Sequence, residues 1–138
     1  MRPQQMTTWL RLWQASAAII KEKIMTITRI DPEHRMSEAV IHNQTVYYTS
    51  VPENLDEDAE AQTANALAVI DAILTRVGSD KSKILDATIF LVDKADFPAM
   101  NRAWDAWVSP GNAPVRCTVQ AGLMNPKYKV EIKIIAAL

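Results

Sequence analysis

One short run limits the possible folds of this chain more than any other. Ala113-Pro114-Val115-Arg116-Cys117-Thr118-Val119-Gln120-Ala121 alternates apolar and polar side chains, and Val130-Glu131-Ile132-Lys133-Ile134 repeats the pattern after eight intervening residues. A period of two is that of a strand with one buried face. Val115, Cys117, Val119 and Ala121 therefore share one face, and Arg116, Thr118 and Gln120 the other. On the second run Val130, Ile132 and Ile134 oppose Glu131 and Lys133. Read as consecutive strands joined by the loop Gly122 to Lys129, the two runs predict a C-terminal hairpin with an arginine and a glutamate on its polar side.

The remaining elements follow from pattern. Thr26 to Ile30 alternates and predicts a first strand. Ala39 to His42 and Thr45 to Thr49 flank Asn43-Gln44, the signature of a β-hairpin. Pro52 ends the ladder. Asp56 to Val77 predicts a helix with the stripe Leu67, Ile70, Ile73, Leu74 and Val77, an acidic solvated start, and Gly78 as its stop. Ile84 to Val92 predicts a buried strand. Asp96 and Pro98 predict the start of a second helix running to about Val108, with Phe97, Met100, Trp104, Trp107 and Val108 inward. The order is βββαβαββ, an α+β chain with two helices on one face of a mixed sheet. The other face is left partly polar and uncovered, which self-association would resolve.

Composition narrows the function classes. A chain of 138 residues that is 49% hydrophobic supports one domain with a core. A net charge of -1 disfavours nucleic acid, and three glycines leave no phosphate-cradling loop. The single cysteine cannot form an internal disulfide and suits a reducing, cytoplasmic setting. No apolar run is long enough to span a bilayer. Too few His and Cys residues occur at ligand spacing for a metal site, so none is expected. Residues 1–24 carry Arg11 and Gln14 inside their apolar stretch, which disagrees with a signal peptide. They read as an upstream extension outside the fold, loosely docked, with 25–138 as the domain; an amphipathic surface helix is the alternative.

Arginine grips carboxylates with two parallel hydrogen bonds, and a glutamate can orient water or move a proton. In a simple hairpin, however, Glu131 falls opposite Gln120, about 13 Å of strand from Arg116. Spacing alone therefore favours two unrelated surface charges over a shared pocket, unless twist or a neighbouring subunit unites them. Cys117 reads as a buried, inert thiol. His34 and His42 supply no evident base. Asn101 falls on or beside the inner stripe of the second helix, as a structural amide or a pocket residue.

Ala113-Pro114-Val115-Arg116-Cys117-Thr118-Val119, with Val130-Glu131-Ile132 behind it, resembles the signature of the RidA/YjgF/RutC family of reactive-intermediate deaminases. The resemblance covers about Met25 to Leu138, including Asp96-Phe97 to Asn101 and the turn after Tyr48. It implies a chorismate-mutase-like fold and a homotrimer with clefts between subunits. It also implies cofactor-free hydrolysis of enamine and imine intermediates, such as 2-iminopropanoate and 2-iminobutanoate, to 2-keto acids and ammonia. Arg116 would hold the substrate carboxylate and Glu131 would position water. The backbone at Thr49, Ser50 and Cys117 would line the cleft, with Asn101 close by. Where the family commonly has a tyrosine, this chain has Arg35-Met36-Ser37, and Ser50 stands at a common glycine; both bear on substrate range. A non-catalytic module binding small carboxylates on the same fold is the competing expectation, and action on RNA a third, which the charge disfavours.

Overall fold

The structure, a computed structural model, describes residues 2–138. Six strands form one mixed sheet: β1 (Thr28–Pro32), β2 (Ser37–His42), β3 (Thr45–Ser50), β4 (Ile84–Leu91), β5 (Val115–Gln120) and β6 (Val130–Ala137). Helices α2 (Ala59–Val77) and α3 (Phe97–Trp107) lie after β3 and β4. From the first strand onward the order is the expected βββαβαββ. A further helix, α1 (Pro3–Met25), precedes the sheet with its described side chains exposed throughout. Met1, the first residue of the expected extension, lies outside the described residues. Among the described residues no helix is long and apolar enough to cross a membrane.

Local chemistry accounts for the element ends. Asn43 and Gln44 both take positive φ, 51° and 54°, the geometry of the two-residue turn that matches strand twist. The Asp58 carboxylate accepts from the Ala61 N–H and caps α2. Gly78 closes α2 in the left-handed region at φ 85°, where a side chain would be strained. The expected cap at Asp96 is not made by its side chain. Asp93 instead accepts from the Ala95 N–H and caps a short 3-10 turn that runs into α3.

The C-terminal hairpin is not formed. The strand order is β1-β2-β3-β6-β4-β5, so β6 lies antiparallel between β3 and β4, and β5 runs parallel to β4 at the edge. Eight residues separate two alternating runs as well in a crossing loop as in a hairpin. The deciding factor is burial. On β6, Val130, Ile132, Ile134 and Ala136 are all fully buried, which an edge position could not supply. They pack with Ala87, Ile89 and Leu91 of β4 beneath Leu67, Ile70 and Leu74 of α2 and Met100 of α3. Each such aliphatic side chain contributes about 1.5–3 kcal/mol on burial.

Gln62 of α2 is buried at the rim of this core. The two hydrogens of its Nε2 serve three carbonyls, those of Lys127 at 3.0 Å and of Leu55 and Glu57 at 3.2 Å, with one hydrogen shared, and its Oε1 accepts from the Lys129 N–H at 2.8 Å. One amide thus fixes the end of the loop that delivers β6 into the sheet centre.

Candidate functional site

Residues paired across strands share a face, so the register places every candidate. Arg116 pairs with Ala87, and Thr118 with Ile89. Ala87 and Ile89 lie under the helices. Arg116, Thr118 and Gln120 therefore point to the helix side, the reverse of the expected orientation for the polar face of β5. Val115, Cys117 and Val119 point to the uncovered side, and Val115 is 70% exposed. The expectation that Cys117 is a core thiol is corrected: it is exposed, with Sγ 3.8 Å from Thr88 Oγ1. β5 is the edge strand, and its apolar side lies on the face opposite the helices.

Arg116 occupies a cleft between β5 and the start of α3. Its guanidinium carbon lies 5.1 Å from the centroid of the Trp104 ring. The cleft has a volume of about 790 Å³ and is walled by Leu91, Ala95, Phe97 and Pro98, with Lys94, Arg116, Thr118 and Gln120 as its polar groups. Phe97, expected in the core, instead forms this wall and is 42% exposed. No carboxylate lines the cleft, and among the described residues Arg116 makes no ion pair. Thr118 Oγ1 is buried there without a hydrogen-bond partner. One cavity thus holds both the Arg116 guanidinium and the unpartnered Thr118 hydroxyl. Sequence reasoning passed over Thr118 because its role depends on which face β5 turns inward; its alternation with Arg116 was the available signal.

Glu131 stands elsewhere. It pairs with Phe90, on the uncovered face, and is half-buried. Thr49, paired with Lys133, is exposed on that same face. Ser50 is fully buried, its hydroxyl donating to the Ala66 carbonyl at 2.7 Å. Its side chain is thus a strut between β3 and α2. Asn101 is half-buried on α3, one turn beyond Phe97 and one before Trp104. The candidates accordingly divide in two. Arg116, Thr118 and Asn101 belong to the helix side, whereas Glu131, Thr49 and Cys117 belong to the open side.

The open side is broad and partly apolar, carrying Tyr47, Phe90, Val115, Val119 and Ile135 among its polar residues. Tyr48 points to the other side, where its hydroxyl donates to Glu38 at 3.2 Å. Burial, reinforced by the Glu38 charge, pushes the Tyr48 phenol up to about 12.

Residues 26–138 match the family model described as Endoribonuclease L-PSP. RutC family protein YoaB of Escherichia coli (strain K12) is 75% identical over 114 residues, covering 83% of this chain and 100% of that protein. A crystal structure of a putative translation initiation inhibitor from Salmonella typhimurium superposes with a TM-score of 0.78 at 72% identity, covering 83% of this chain and 99% of the other. More distant is Reactive Intermediate Deaminase A, chloroplastic, of Arabidopsis thaliana, 30% identical over 131 residues, covering 89% of this chain and 70% of that one. 3-Aminoacrylate deaminase RutC of Acinetobacter baylyi is 38% identical over 79 residues, covering 57% of this chain and 62% of that one.

Proposed function

This chain belongs to the RidA/YjgF/RutC family, and from that premise we propose that it hydrolyses 2-imino acids to 2-keto acids and ammonia. The reading is supported by the unpaired Arg116 guanidinium held in an acid-free cleft beside the orphan Thr118 hydroxyl. Two named deaminases among the relatives agree with it.

The chemistry needs little assistance. A protonated imine carbon is already electrophilic. Water adds to it, one proton passes to a base, and a carbinolamine forms. The base returns its proton to the nitrogen, the C–N bond breaks as the hydroxyl gives up its own proton to the departing ammonia, and the keto acid and ammonium remain. Arg116 and Thr118 would fix the substrate carboxylate, which turns the attack into an oriented, near-unimolecular step. Glu131 would take and return the proton. Nothing in this cycle calls for a cofactor.

Arg116 and Glu131 leave opposite faces of the sheet, so a single chain does not direct both at one substrate. A trimer would: the open face of one subunit, carrying Glu131 and Thr49, would close the Arg116 cleft of its neighbour. The uncovered apolar residues of that face support such an assembly. A small-molecule partner in a reducing, cytoplasmic setting suits the net charge of -1, which gives a phosphate backbone no attraction.

One observation favours a second reading. The Arg116 cleft is complete for anion binding without Glu131, so a carboxylate-binding module needs only one side of the sheet. Ammonia release from an imino acid generated in situ by an amino-acid oxidase decides between them. The deaminase reading expects release well above the spontaneous rate, lost in Arg116→Ala. Binding of 2-ketobutyrate without accelerated release would leave only the binding module.

A further inference from the structure

Arg116 is an unusual cation for a partly buried position, because what faces it is an aromatic ring and not an acid. The Trp104 ring is 6% exposed and lies 5.1 Å from the guanidinium carbon, inside the range of cation–π attraction. Trp104 is itself held. The Trp107 ring meets it at 5.4 Å between centroids, tilted by 55°, within the centroid range of favourable aromatic pairs. Trp107 is fixed in turn, since its indole Nε1 donates to Asp71 Oδ2 of α2 at 2.9 Å. The Lys81 ammonium sits 5.5 Å above the same ring. A line of contacts therefore runs from Asp71 on α2 through Trp107 and Trp104 to the guanidinium in the cleft.

From this line we infer that Trp104, braced by Trp107 and Asp71, is a positioning residue that sets the Arg116 guanidinium facing the cleft and spares its donors for the ligand. A carboxylate in that place would order the side chain equally well but would occupy the donors and cancel the charge. A π face orders the cation and leaves its N–H groups unspent. The ring also removes water from one side of the guanidinium, which strengthens its grip on an anion. Tryptophan suits the task better than smaller aromatics because its face is the most attractive to cations. The inference rests on the reading of Arg116 as the carboxylate grip, and its test has one arm independent of that reading.

That arm is the side-chain NMR signal of the Arg116 Nε–Hε group. In the wild-type protein the proton is expected upfield of free arginine through the ring current, with restricted motion. In Trp104→Leu it should return to the free position and become mobile. Trp104→Phe keeps a π face at a volume close to that of leucine and should retain part of the shift. An Arg116 signal at the free-arginine position in the wild-type protein would overturn the inference.

The second arm is 2-ketobutyrate affinity by calorimetry, with KM and kcat for an imino acid. Trp104→Leu is expected to weaken affinity about five- to tenfold and raise KM in step, with kcat changed less than about twofold. Trp104→Phe should stay within about threefold of wild type. Equal losses in the two variants would mark a packing defect and overturn the positioning role, even if Trp104→Leu is poorly folded. Should the wild-type protein bind no keto acid, the carboxylate-grip reading fails, and the NMR arm alone then decides whether the ring orders the guanidinium.

Discussion

Arg116 and Glu131 sit two strands apart on opposite faces of one sheet. Arg116 is paired with Ala87 on β4, Glu131 with Phe90, and β4 lies between them. Two inter-strand steps of about 4.8 Å and three residues of about 3.3 Å put their α-carbons roughly 14 Å apart. A site using both is therefore expected to be built by two chains. Arg116→Ala should abolish keto-acid binding, and Glu131→Gln should retain it while losing turnover. Each homogeneous variant is expected to be inactive. Unfolding and refolding the two together should restore activity in about a quarter of the sites of a random trimer. No recovery in mixtures shown by native mass spectrometry to be mixed would refute the two-chain site.

Gln62 holds four partners with one amide. Gln62→Leu would preserve much of the volume and leave three carbonyls and the Lys129 N–H without it. A loss of about 2–4 kcal/mol in urea unfolding is expected, because stranded buried polar groups cost more than a hydrogen bond is worth. A loss below about 1 kcal/mol would show that the loop before β6 finds other partners.

Tyr48 has its phenol pushed up to about 12 by burial and the Glu38 charge. In the unfolded chain it titrates near 10. Below that value both states hold the proton and stability is unaffected. Between about 10 and 12 the unfolded chain loses the proton first, so stability falls as pH rises, by at most about 2.7 kcal/mol. Tyr48→Phe should flatten this part of the pH–stability curve. Urea midpoints at pH 9 and 11 in both proteins measure it, and equal slopes would contradict the assignment.

The described side chains of α1 are exposed along its whole length, with Trp9 and Trp13 64% and 69% exposed. The domain is proposed to be residues 25–138. Removing residues 1–24 should leave the melting midpoint unchanged within about 2 °C, since a helix that buries little contributes little. A drop of 5 °C or more in differential scanning calorimetry would mean that α1 docks on the domain or its assembly.

Much of this architecture could be read locally. Asn43-Gln44 specified the β2–β3 hairpin because two consecutive residues had to accept positive φ. Gly78 marked the end of α2, and the stripe from Leu67 to Leu74 gave its buried side. Alternation on β5 and β6 correctly separated Arg116 and Glu131 from their aliphatic neighbours. What alternation could not supply was direction. A period of two says which residues share a face, but not which face is covered. Strand neighbours are chosen by contacts far apart in sequence: β6 was drawn between β3 and β4 because its aliphatic side fills the centre of the core. That choice left β5 at the edge, turned Arg116 and Thr118 toward Trp104, and exposed Cys117. The sequence by itself determined the elements and the chemical groups on offer; only the tertiary structure decided which of them meet, because packing energy is settled between elements and not along them.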